Sequence, residues 1–360
     1  MKPYKFTAII LMIALLMTVT AGCGSSRGSS PSASNTAQES AAPAASDSPS
    51  PSPSAAPKPL TKVTVVLDWT PNTNHTGLYV AQEKGYYKEE GLDVEIVQPG
   101  KSTAEQLVAS GNAQFGVSTQ EYVTRGRQEK LPIVSIAAII QHNTSGFASP
   151  VSKNIKTPKD LEGKTYGGWG APEEKAMIQF LMENDHGDVN KVKMLNIGET
   201  DFLTAIQRGQ IDFSWIFYGW EGIEAKIHNI PLNMIFLSQY NKQLDEYTPL
   251  LITNENLIQT KPELVKAFMA ATSKGYNDAI KNPEEAANLL LKAAPDLDAK
   301  LVLESQKWLS PHYQDDAARW GEQKDEVWQT FGNWMYDHKV IDQKFDPTGA
   351  FTNQFLPAQP

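Results

Sequence analysis

The sequence has little of the chemistry on which several common classes of protein depend. It contains one cysteine and six histidines among 360 residues, and no two histidines lie four residues apart. An internal disulfide is therefore excluded, and a zinc site is not expected. The net charge is −9, and no run of lysines and arginines follows the first few residues, so a nucleic-acid partner is not expected either. With no recognisable nucleophile, phosphate-loop or metal motif, the residues indicate neither catalysis nor a cofactor.

The one cysteine, Cys23, ends an N-terminal targeting segment. Lysines open the chain, an apolar run covers residues 9–19, and Ala21 and Gly22 come directly before the cysteine. A basic start, a short apolar run and small residues make a secretory signal peptide. A cysteine at the cleavage point resembles a bacterial lipoprotein box, although Thr20 stands where leucine is usual. We therefore predict acylation of Cys23 and a membrane anchor made of lipid chains.

A long polar segment separates this anchor from the rest of the chain. Residues 24–59 are mostly Ser, Pro and Ala, with no aromatic residue and no Leu, Ile or Val. Such a segment cannot bury enough apolar surface to offset its ordering entropy, and its Ser-Pro pairs favour an extended spacer. The predicted organisation is a signal peptide over 1–22, a lipidated cysteine with a disordered linker over 23–60, and a folded body from residue 61.

The body alternates strand-like and helix-like segments. Residues 92–97 are typical of a strand and 172–184 of a helix, and similar pairs recur along the chain until Lys261, after which nearly all segments are helical. Alternation at these lengths favours α/β architecture with helices on both faces of the sheets. The body is roughly 300 residues long, enough for two lobes with separate cores. We predict lobe one over 61–148 and 249–360 and lobe two over 149–248.

Two segments about 100 residues apart resemble each other. Residues 107–117 (LVASGNAQFGV) and 206–215 (IQRGQIDFSW) each place a glycine after a helix and a phenylalanine four residues later. Gly111 and Gly209 suit the left-handed conformation that ends a helix. The pattern predicts two lobes of related topology. Joints of this kind recur in many folds, so an incidental similarity is the alternative.

In open α/β sheets, ligands lie beyond the carboxyl ends of the strands. Four strand-to-helix joints therefore nominate the site: residues 68–75, 118–121, 169–174 and 217–221. Three of them carry aromatic side chains, namely Trp69, Trp169, Phe217, Tyr218 and Trp220. Aromatic residues ordinarily pack in cores, but a group of them at polar joints suggests a flat ligand held between ring faces.

Carboxylates accompany these rings. Asp68 and Glu221 lie in two of the same joints, where they would bind amino groups or a protonated ring nitrogen. For Glu221 the alternative is a solvent-exposed acid that stabilises a helix start. The joints carry no arginine, which favours a neutral or cationic heterocycle over an anion.

The first joint carries a family resemblance. Residues 68–79 (DWTPNTNHTGLY), with 81–87 and 91–94, resemble the thiamine-pyrimidine-synthase-like family of periplasmic-type binding proteins, and 218–221 (YGWE) matches a further block. The resemblance implies a two-lobed, type II periplasmic-binding-protein-like fold, with a mixed sheet in each lobe and a hinge between them. It also implies a formyl-aminopyrimidine ligand, a degradation product of thiamin.

The resemblance further implies roles for individual residues. The first tryptophan, Trp69, would stack on the pyrimidine, Asn72 would contact its polar groups, and the block containing Tyr218, Trp220 and Glu221 would hold the aminopyrimidine edge. The ligand-binding set predicted from the joints and the resemblance together is Asp68, Trp69, Asn72, His75, Trp169, Tyr218, Trp220 and Glu221.

By the same resemblance, we expect the chain to be a monomeric, lipid-anchored binding protein on the extracellular face of the membrane. It would deliver its ligand to the permease and ATPase subunits of an ABC importer, without a metal or cofactor. Fungal synthases of the family carry a cysteine-rich motif that this chain lacks. Two alternatives stay open. One is a binding protein for an alkyl sulfonate, nitrate or riboflavin-like solute, and the other is a synthesis enzyme using Lys84 and His75 with pyridoxal phosphate.

Overall fold

The computed structural model describes residues 59–198 and 200–358. The predicted signal peptide, the lipidated Cys23 and nearly all of the linker lie outside these residues. In the part of the chain that is described, no helix has the length and apolar character needed to cross a membrane.

Strands and helices alternate through the first two thirds of the body, and helices dominate the last third. The strands are β1 (Thr61–Val66), β2 (Leu92–Val97), β3 (Phe115–Ser118), β4 (Ile133–Ala138), β5 (Ser145–Pro150), β6 (Thr165–Gly168), β7 (Lys193–Asn196), β8 (Phe213–Phe217), β9 (Leu232–Phe236) and β10 (Leu250–Asn254). The helices are α1 (Thr76–Glu83), α2 (Tyr86–Glu89), α3 (Ala104–Ala109), α4 (Gln120–Gln128), α5 (Pro172–Asn184), α6 (Phe202–Gln207), α7 (Ile223–Ile227), α8 (Leu237–Tyr240), α9 (Glu255–Thr260), α10 (Pro262–Lys281), α11 (Pro283–Ala293), α12 (Ala299–Leu309) and α13 (Asp325–Asp337). The predicted helix over 172–184 and strand over 92–97 are confirmed, as is the helical C-terminal region.

Two five-stranded sheets have the same topology. The first has the order β2-β1-β3-β10-β4 and the second β7-β6-β8-β5-β9. In each sheet three strands are parallel, and the fourth in the order (β10 or β5) is antiparallel to both of its neighbours. The predicted relation between the lobes is therefore confirmed, and the α/β fold class with mixed sheets is confirmed with it.

The two similar segments occupy equivalent positions in these sheets. Residues 107–117 run from the end of α3 into β3, and residues 206–215 run from α6 into β8, the central strand of each sheet. Gly111 and Gly209 have φ values of 76° and 65°, the left-handed conformation that a helix end requires. A side chain at either position would be strained, which explains the shared glycine.

The chain passes between the sheets twice, after β4 and before β10. The first passage ends at Ser145, where β5 of the second sheet begins, so it comes a few residues before the predicted boundary at 148. Both flanking strands are buried along their whole length, so neither shows the alternation of exposed and buried residues that would mark its ends in the sequence.

The lobes also pack against each other through α5 and α13. Phe180 of α5 lies edge-on to Trp334 of α13, with ring centroids 5.8 Å apart, and close to His338 at 4.7 Å. Phe180 and Trp334 belong to one apolar cluster that contains residues of both sheets. The C-terminal helix therefore supports the second lobe as well as the first.

Candidate functional site

A cleft of about 740 Å³ receives residues from both sheets. Each of the four predicted joints contributes to its lining, through Asp68 and Trp69, Thr119, Trp169, and Phe217 with Glu221. This volume is within the range typical of small-molecule sites. The cleft therefore lies at the carboxyl ends of the parallel strands, where the sequence predicts it.

A hydrogen-bonded turn shapes the first-lobe side of the cleft. Asn72 caps the turn, because its side chain accepts the Asn74 N–H at 2.8 Å. His75 lies below this turn, fully buried, with Nε2 2.7 Å from the Asp68 carboxylate and Nδ1 3.2 Å from the Asn72 N–H. A backbone N–H can only donate, so Nδ1 is the acceptor and the proton of a neutral ring is on Nε2. His75 thus donates to Asp68 and holds its carboxylate at the cleft.

Trp69 follows Asp68 and is 51% exposed although it is a large apolar residue. An indole exposed inside a concave site is available to stack on a ligand. The turn that presents it is fixed by the hydrogen bonds of Asn72 and His75. The position of Trp69 is therefore set by the first joint as a whole.

The second lobe presents another tryptophan on a loop fastened by one carboxylate. Glu174 accepts the backbone N–H groups of Trp169 at 3.0 Å, Gly170 at 2.7 Å and Ala171 at 2.8 Å, and the Tyr166 hydroxyl at 2.7 Å. Any side chain at position 168 would collide with this carboxylate, since a Cβ there would lie 2.0 Å from Glu174 Oε1. The loop is thus rigid, and Trp169 remains 42% exposed in the cleft.

A second indole supports Trp169. Trp215, near the end of β8, lies 5.3 Å from it between ring centroids, with the planes tilted by 31°. Its Nε1–H donates to Ser145 Oγ at 2.8 Å, which satisfies the buried polar atom and fixes the ring. Together the two indoles form an aromatic wall on the second-lobe side.

The fourth joint is a π-helical turn over Tyr218–Gly222. Glu221 in this turn accepts the Phe217 N–H at 3.1 Å and lines the cleft together with Trp220. π-helical turns are rare and often occur at functional sites. The Glu221 carboxylate thus caps its own turn at the border of the cleft.

Carboxylates dominate the charge of the cleft. Asp68 lies on the first-lobe side, and Asp201 and Glu221 on the second, while no lysine or arginine of the described residues lines it. The pKa of Glu221 is raised to about 7, mainly by burial and to a smaller extent by the charges of Glu224 and Asp201, against backbone N–H groups that lower it. At neutral pH Glu221 is therefore divided between its protonated and ionised forms.

Six of the eight predicted ligand-binding residues line the cleft, and two do not. Asp68, Trp69, Asn72, Trp169, Trp220 and Glu221 line the cleft. His75 and Tyr218 were expected to touch ligand but do not line it. His75 is enclosed beneath the first turn, and the ring of Tyr218 packs on Phe236 and Trp308, at 5.5 and 5.1 Å between centroids.

Several residues that the sequence did not nominate also line the cleft, among them Tyr122, Asp201 and Trp215. Trp215 reads as a core strand residue, and it is indeed buried, yet one side of its ring reaches the cleft wall. Asp201 reads as the N-cap of α6, a role it also fills by accepting the Thr204 N–H at 2.8 Å. Tyr122 lies one residue beyond the second joint, so extending that joint by one residue finds it.

Lys84, the lysine that a pyridoxal-dependent synthase would use, forms ion pairs outside the cleft. Lys84 lies at the end of α1 and pairs with Asp278 at 3.0 Å and Glu285 at 2.9 Å. Burial lowers its pKa, but the hydrogen bonds to these two carboxylates outweigh that effect and leave the pKa raised. A charged amine is not a nucleophile, so Lys84 is poorly suited to form a Schiff base.

Two similar lobes with a ligand-sized cleft between them define a periplasmic-binding-protein fold. Solved structures agree: the alkanesulfonate-binding protein SsuA from Xanthomonas axonopodis, bound to MOPS, has a TM-score of 0.62 at 10% identity, covering 82% of this chain and 99% of that one. The aliphatic sulphonate-binding protein SsuA from Escherichia coli has a TM-score of 0.61 at 12% identity, covering 79% and 95%. At these identities the likeness concerns the fold alone.

The chain belongs to the NMT1/THI5-like family, whose model matches residues 72–286. The formylaminopyrimidine-binding protein of Halalkalibacterium halodurans is 31% identical over 82% of this chain and 90% of its own length. A 4-amino-5-hydroxymethyl-2-methylpyrimidine phosphate synthase of Legionella pneumophila is 29% identical over 83% and 94%. The riboflavin-binding protein RibY of Chloroflexus aurantiacus is 24% identical over 83% and 87%. The family thus contains both binding proteins and proteins named as synthases.

Proposed function

We propose that this chain is the solute-binding subunit of an ABC importer and captures a formyl-aminopyrimidine for thiamin salvage. In this proposal it is a monomer held outside the cell by a lipid on Cys23, and it delivers ligand to a permease driven by an ATPase. The observation that carries the proposal is the composition of the cleft, in which exposed indoles and three carboxylates face the space between the lobes.

The indoles of the cleft are suited to bind a flat, apolar ring. Trp69 stands on one lobe, and the pair Trp169 and Trp215 on the other. Rings placed on opposite lobes can contact both faces of a planar ligand when the lobes approach, and each aromatic contact contributes about 0.5–1.5 kcal/mol beyond burial. A hinge between two lobes is a common means of enclosing a ligand.

Glu221 accounts for the amino-substituted edge of that ring. An aminopyrimidine presents an N–H donor beside a ring-nitrogen acceptor, and a protonated carboxyl group presents the matching acceptor and donor. Because its pKa is about 7, Glu221 carries this proton in a substantial fraction of molecules at neutral pH. The same pair with the proton moved to the ring nitrogen is an ionised carboxylate beside a pyrimidinium, which is also favourable.

The carboxylates also discriminate between the proposed ligand and its alternatives. An alkyl sulfonate or nitrate would face the charges of Asp68 and Asp201 without a compensating basic side chain among the described lining residues. Burying an unpaired anion costs several kcal/mol. A riboflavin-like solute shares the flat ring but lacks an aminopyrimidine edge to match Glu221. The alternative of a synthase is disfavoured by the ion pairs of Lys84.

A ligand panel tests the proposal. Melting of the purified chain is followed with N-formyl-4-amino-5-aminomethyl-2-methylpyrimidine, riboflavin, MOPS and nitrate, each added separately. A ligand at 100 times its dissociation constant stabilises the folded state by about 2.7 kcal/mol. We expect stabilisation by the pyrimidine alone. Stabilisation by MOPS or riboflavin but not by the pyrimidine would overturn the assignment. Addition of pyridoxal phosphate, followed by absorbance, tests the synthase alternative.

A further inference from the structure

A buried charge cluster lies where the two lobes meet the segment that connects them. Arg125 of α4, in the first lobe, contacts Glu121 one helical turn earlier at 2.9 Å and Glu173 of α5, in the second lobe, at 3.1 Å. Glu246, from the segment between the second sheet and β10, adds a third carboxyl group. The cluster therefore joins three parts of the chain whose relative positions change in a hinge motion.

The cluster has more carboxyl groups than cations. Glu121, Glu173 and Glu246 are 6%, 1% and 2% exposed. The Arg125 guanidinium pairs with Glu121 and Glu173, while Glu246 lies beside them without a cation of its own among the described ion pairs. Within the described residues, Glu121 Oε1, Glu173 Oε1 and Glu246 Oε2 are buried without a hydrogen bond of good geometry, although Glu121 Oε1 lies at ion-pair distance from Arg125. The neighbouring Glu174 is different, since it accepts four hydrogen bonds. Three buried carboxylates beside one cation would carry uncompensated charge, which is costly in a low-dielectric interior.

Protonation removes this excess charge. Burial raises the pKa of Glu121 well above its ordinary value, and the charges of Glu173 and Glu246 raise it further, against the opposing effect of Arg125. Burial also raises the pKa of Glu246, as do Glu173 and Asp245, while the Glu121 backbone N–H lowers it.

The other ionisable groups around the cluster do not supply the missing positive charge. On α4, the Arg125 guanidinium carbon lies 4.8 Å from the centroid of the Tyr122 ring. The negative charge of Glu105, on α3, raises the pKa of Tyr122. Asp245 beside Glu246 is paired with His142 at 2.7 Å and so is partly neutralised. The balance of charge in the cluster therefore depends on protons bound by its own carboxyl groups.

We propose that Glu121, Glu173 and Glu246, gathered around Arg125, form a proton-sensitive latch that holds the two lobes in the arrangement seen here. In this arrangement at least one carboxyl group carries a proton. When the lobes separate, Glu173 leaves Glu121 and Arg125, water solvates the cluster, and Glu121 and Glu246 ionise near the ordinary pKa of a glutamate. Lobe approach therefore takes up a proton, and lobe separation releases it.

The direction of the pH dependence follows from this linkage. Because the pKa values are raised in the latched arrangement, that arrangement is fully favoured below the ordinary glutamate pKa of about 4.5. This preference for the latched arrangement is lost as the pH rises from there toward the raised pKa, because the carboxyl groups ionise at a lower pH when the lobes are separated. The latch therefore favours the arrangement seen here in mildly acidic surroundings and releases it in alkaline ones.

The inference rests on the lobe motion of the proposed function but not on its ligand, so the two are tested separately. The test uses the full chain with Cys23→Ser, so that the only cysteines are two introduced ones. Asp93→Cys and Lys193→Cys place exposed spin labels on β2 and β7, the outer strands of the two sheets. The distance distribution between the labels is measured without ligand from pH 5 to pH 9.

We expect one population to dominate at pH 5 and to be depleted at pH 9. Glu121→Gln, whose neutral amide resembles the protonated acid, should keep the low-pH population at pH 9. Glu255→Gln is the control. Glu255 pairs with Arg127, which lies on α4 like Arg125, but this ion pair stays within the first lobe. Glu255→Gln should therefore show the same pH response as the parent chain. Glu173→Gln serves if Glu121→Gln does not fold.

A parent distribution that does not change with pH would overturn the latch, and so would an unchanged pH response in both glutamine variants. Calorimetric titration with the formyl-aminopyrimidine is performed separately on the same proteins. A pH response without pyrimidine binding would leave the latch and remove the proposed ligand. Pyrimidine binding without a pH response would support the proposed ligand and overturn the latch.

Discussion

His75 donates through Nε2 to the Asp68 carboxylate at 2.7 Å, while its Nδ1 accepts the Asn72 N–H at 3.2 Å. The ring thus connects the backbone of the first turn to a carboxylate of the cleft without lining the cleft itself. The sequence predicts that His75 contacts the ligand. Its placement instead makes it a positioning residue, which acts on the ligand through Asp68.

Replacement of His75 distinguishes positioning from packing. We expect His75→Leu, of similar size, to lower affinity for the formyl-aminopyrimidine at least tenfold, because Asp68 loses its fixed donor. His75→Gln can still donate from a similar position and should recover most of that loss. His75→Leu also leaves the Asn72 N–H unpaired, which costs about 1–3 kcal/mol of folding stability. Calorimetric titration and melting curves separate the two effects. Equal affinities for the Leu and Gln variants would assign His75 to packing only.

Trp69 should contribute to binding and little to stability. Its side chain is 51% exposed, so Trp69→Ala should change the free energy of unfolding by less than about 0.5 kcal/mol. Loss of stacking and apolar contact should weaken binding by about 1–3 kcal/mol. Tyr240→Ala is the control, since Tyr240 is 44% exposed outside the cleft. Unchanged affinity in Trp69→Ala, or an equal loss in Tyr240→Ala, would contradict the proposed stacking.

The proton on Glu221 should appear in the pH dependence of affinity. The pair between Glu221 and the aminopyrimidine edge needs one proton, and the empty cleft loses it as the pH rises through about 7, the pKa of Glu221. Affinity for the neutral pyrimidine should therefore fall above pH 7, by up to about tenfold for each pH unit. Glu221→Gln has the required donor and acceptor at every pH and should remove this dependence. A fall of equal size in the Gln variant would place the titrating group elsewhere.

The same residue affects stability in a calculable direction. The pKa of Glu221 is raised from 4.5 to about 7 in the fold, so the folded state loses stability as the pH rises through that window. The total loss is of the order of 3 kcal/mol, at about 1.4 kcal/mol for each pH unit of that window. Glu221→Gln should melt at a higher temperature than the parent protein at pH 8 and at a similar temperature at pH 5. Melting curves at both pH values check this, and equal differences at pH 5 and pH 8 would contradict it.

The lipid anchor is tested independently of the fold. Cys23 lies outside the described residues, and its acylation is predicted from the sequence alone. Cys23→Ser should release the protein into the medium or leave it as unprocessed precursor, while binding by the body is unchanged. A variant that remains on the membrane at its mature mass would exclude the lipoprotein assignment.

The location of the site could be predicted because topology determines it. Parallel strands end at one edge of a sheet, so residues that directly follow them, such as Asp68, Trp169 and Glu221, meet there whatever the details of packing. The repeated helix–glycine–strand joint likewise indicated two related lobes, because Gly111 and Gly209 fill a backbone conformation that few other residues adopt.

The direction of side chains within a joint could not be predicted. His75 and Tyr218 lie in turns whose rings can face the cleft or the interior, and tertiary contacts with Asp68 and with Trp308 decide. Trp215 differs, because it lies in a strand and would be assigned to the core, yet its ring lines the cleft beside Trp169. The cluster around Arg125 was also missed, since its carboxyl groups come from segments far apart in the sequence.

The central claim is that the cleft binds an amino-substituted pyrimidine between its two aromatic sides. Its most direct test is calorimetric titration of the parent protein at pH 7 with N-formyl-4-amino-5-aminomethyl-2-methylpyrimidine and with the analogue that has hydrogen in place of the ring amino group. We predict one site per chain for the aminopyrimidine and a loss of about 1–3 kcal/mol for the analogue, since a buried Glu221 acceptor is then left unpaired. Equal affinity for the two compounds, or no binding of either, would contradict the account.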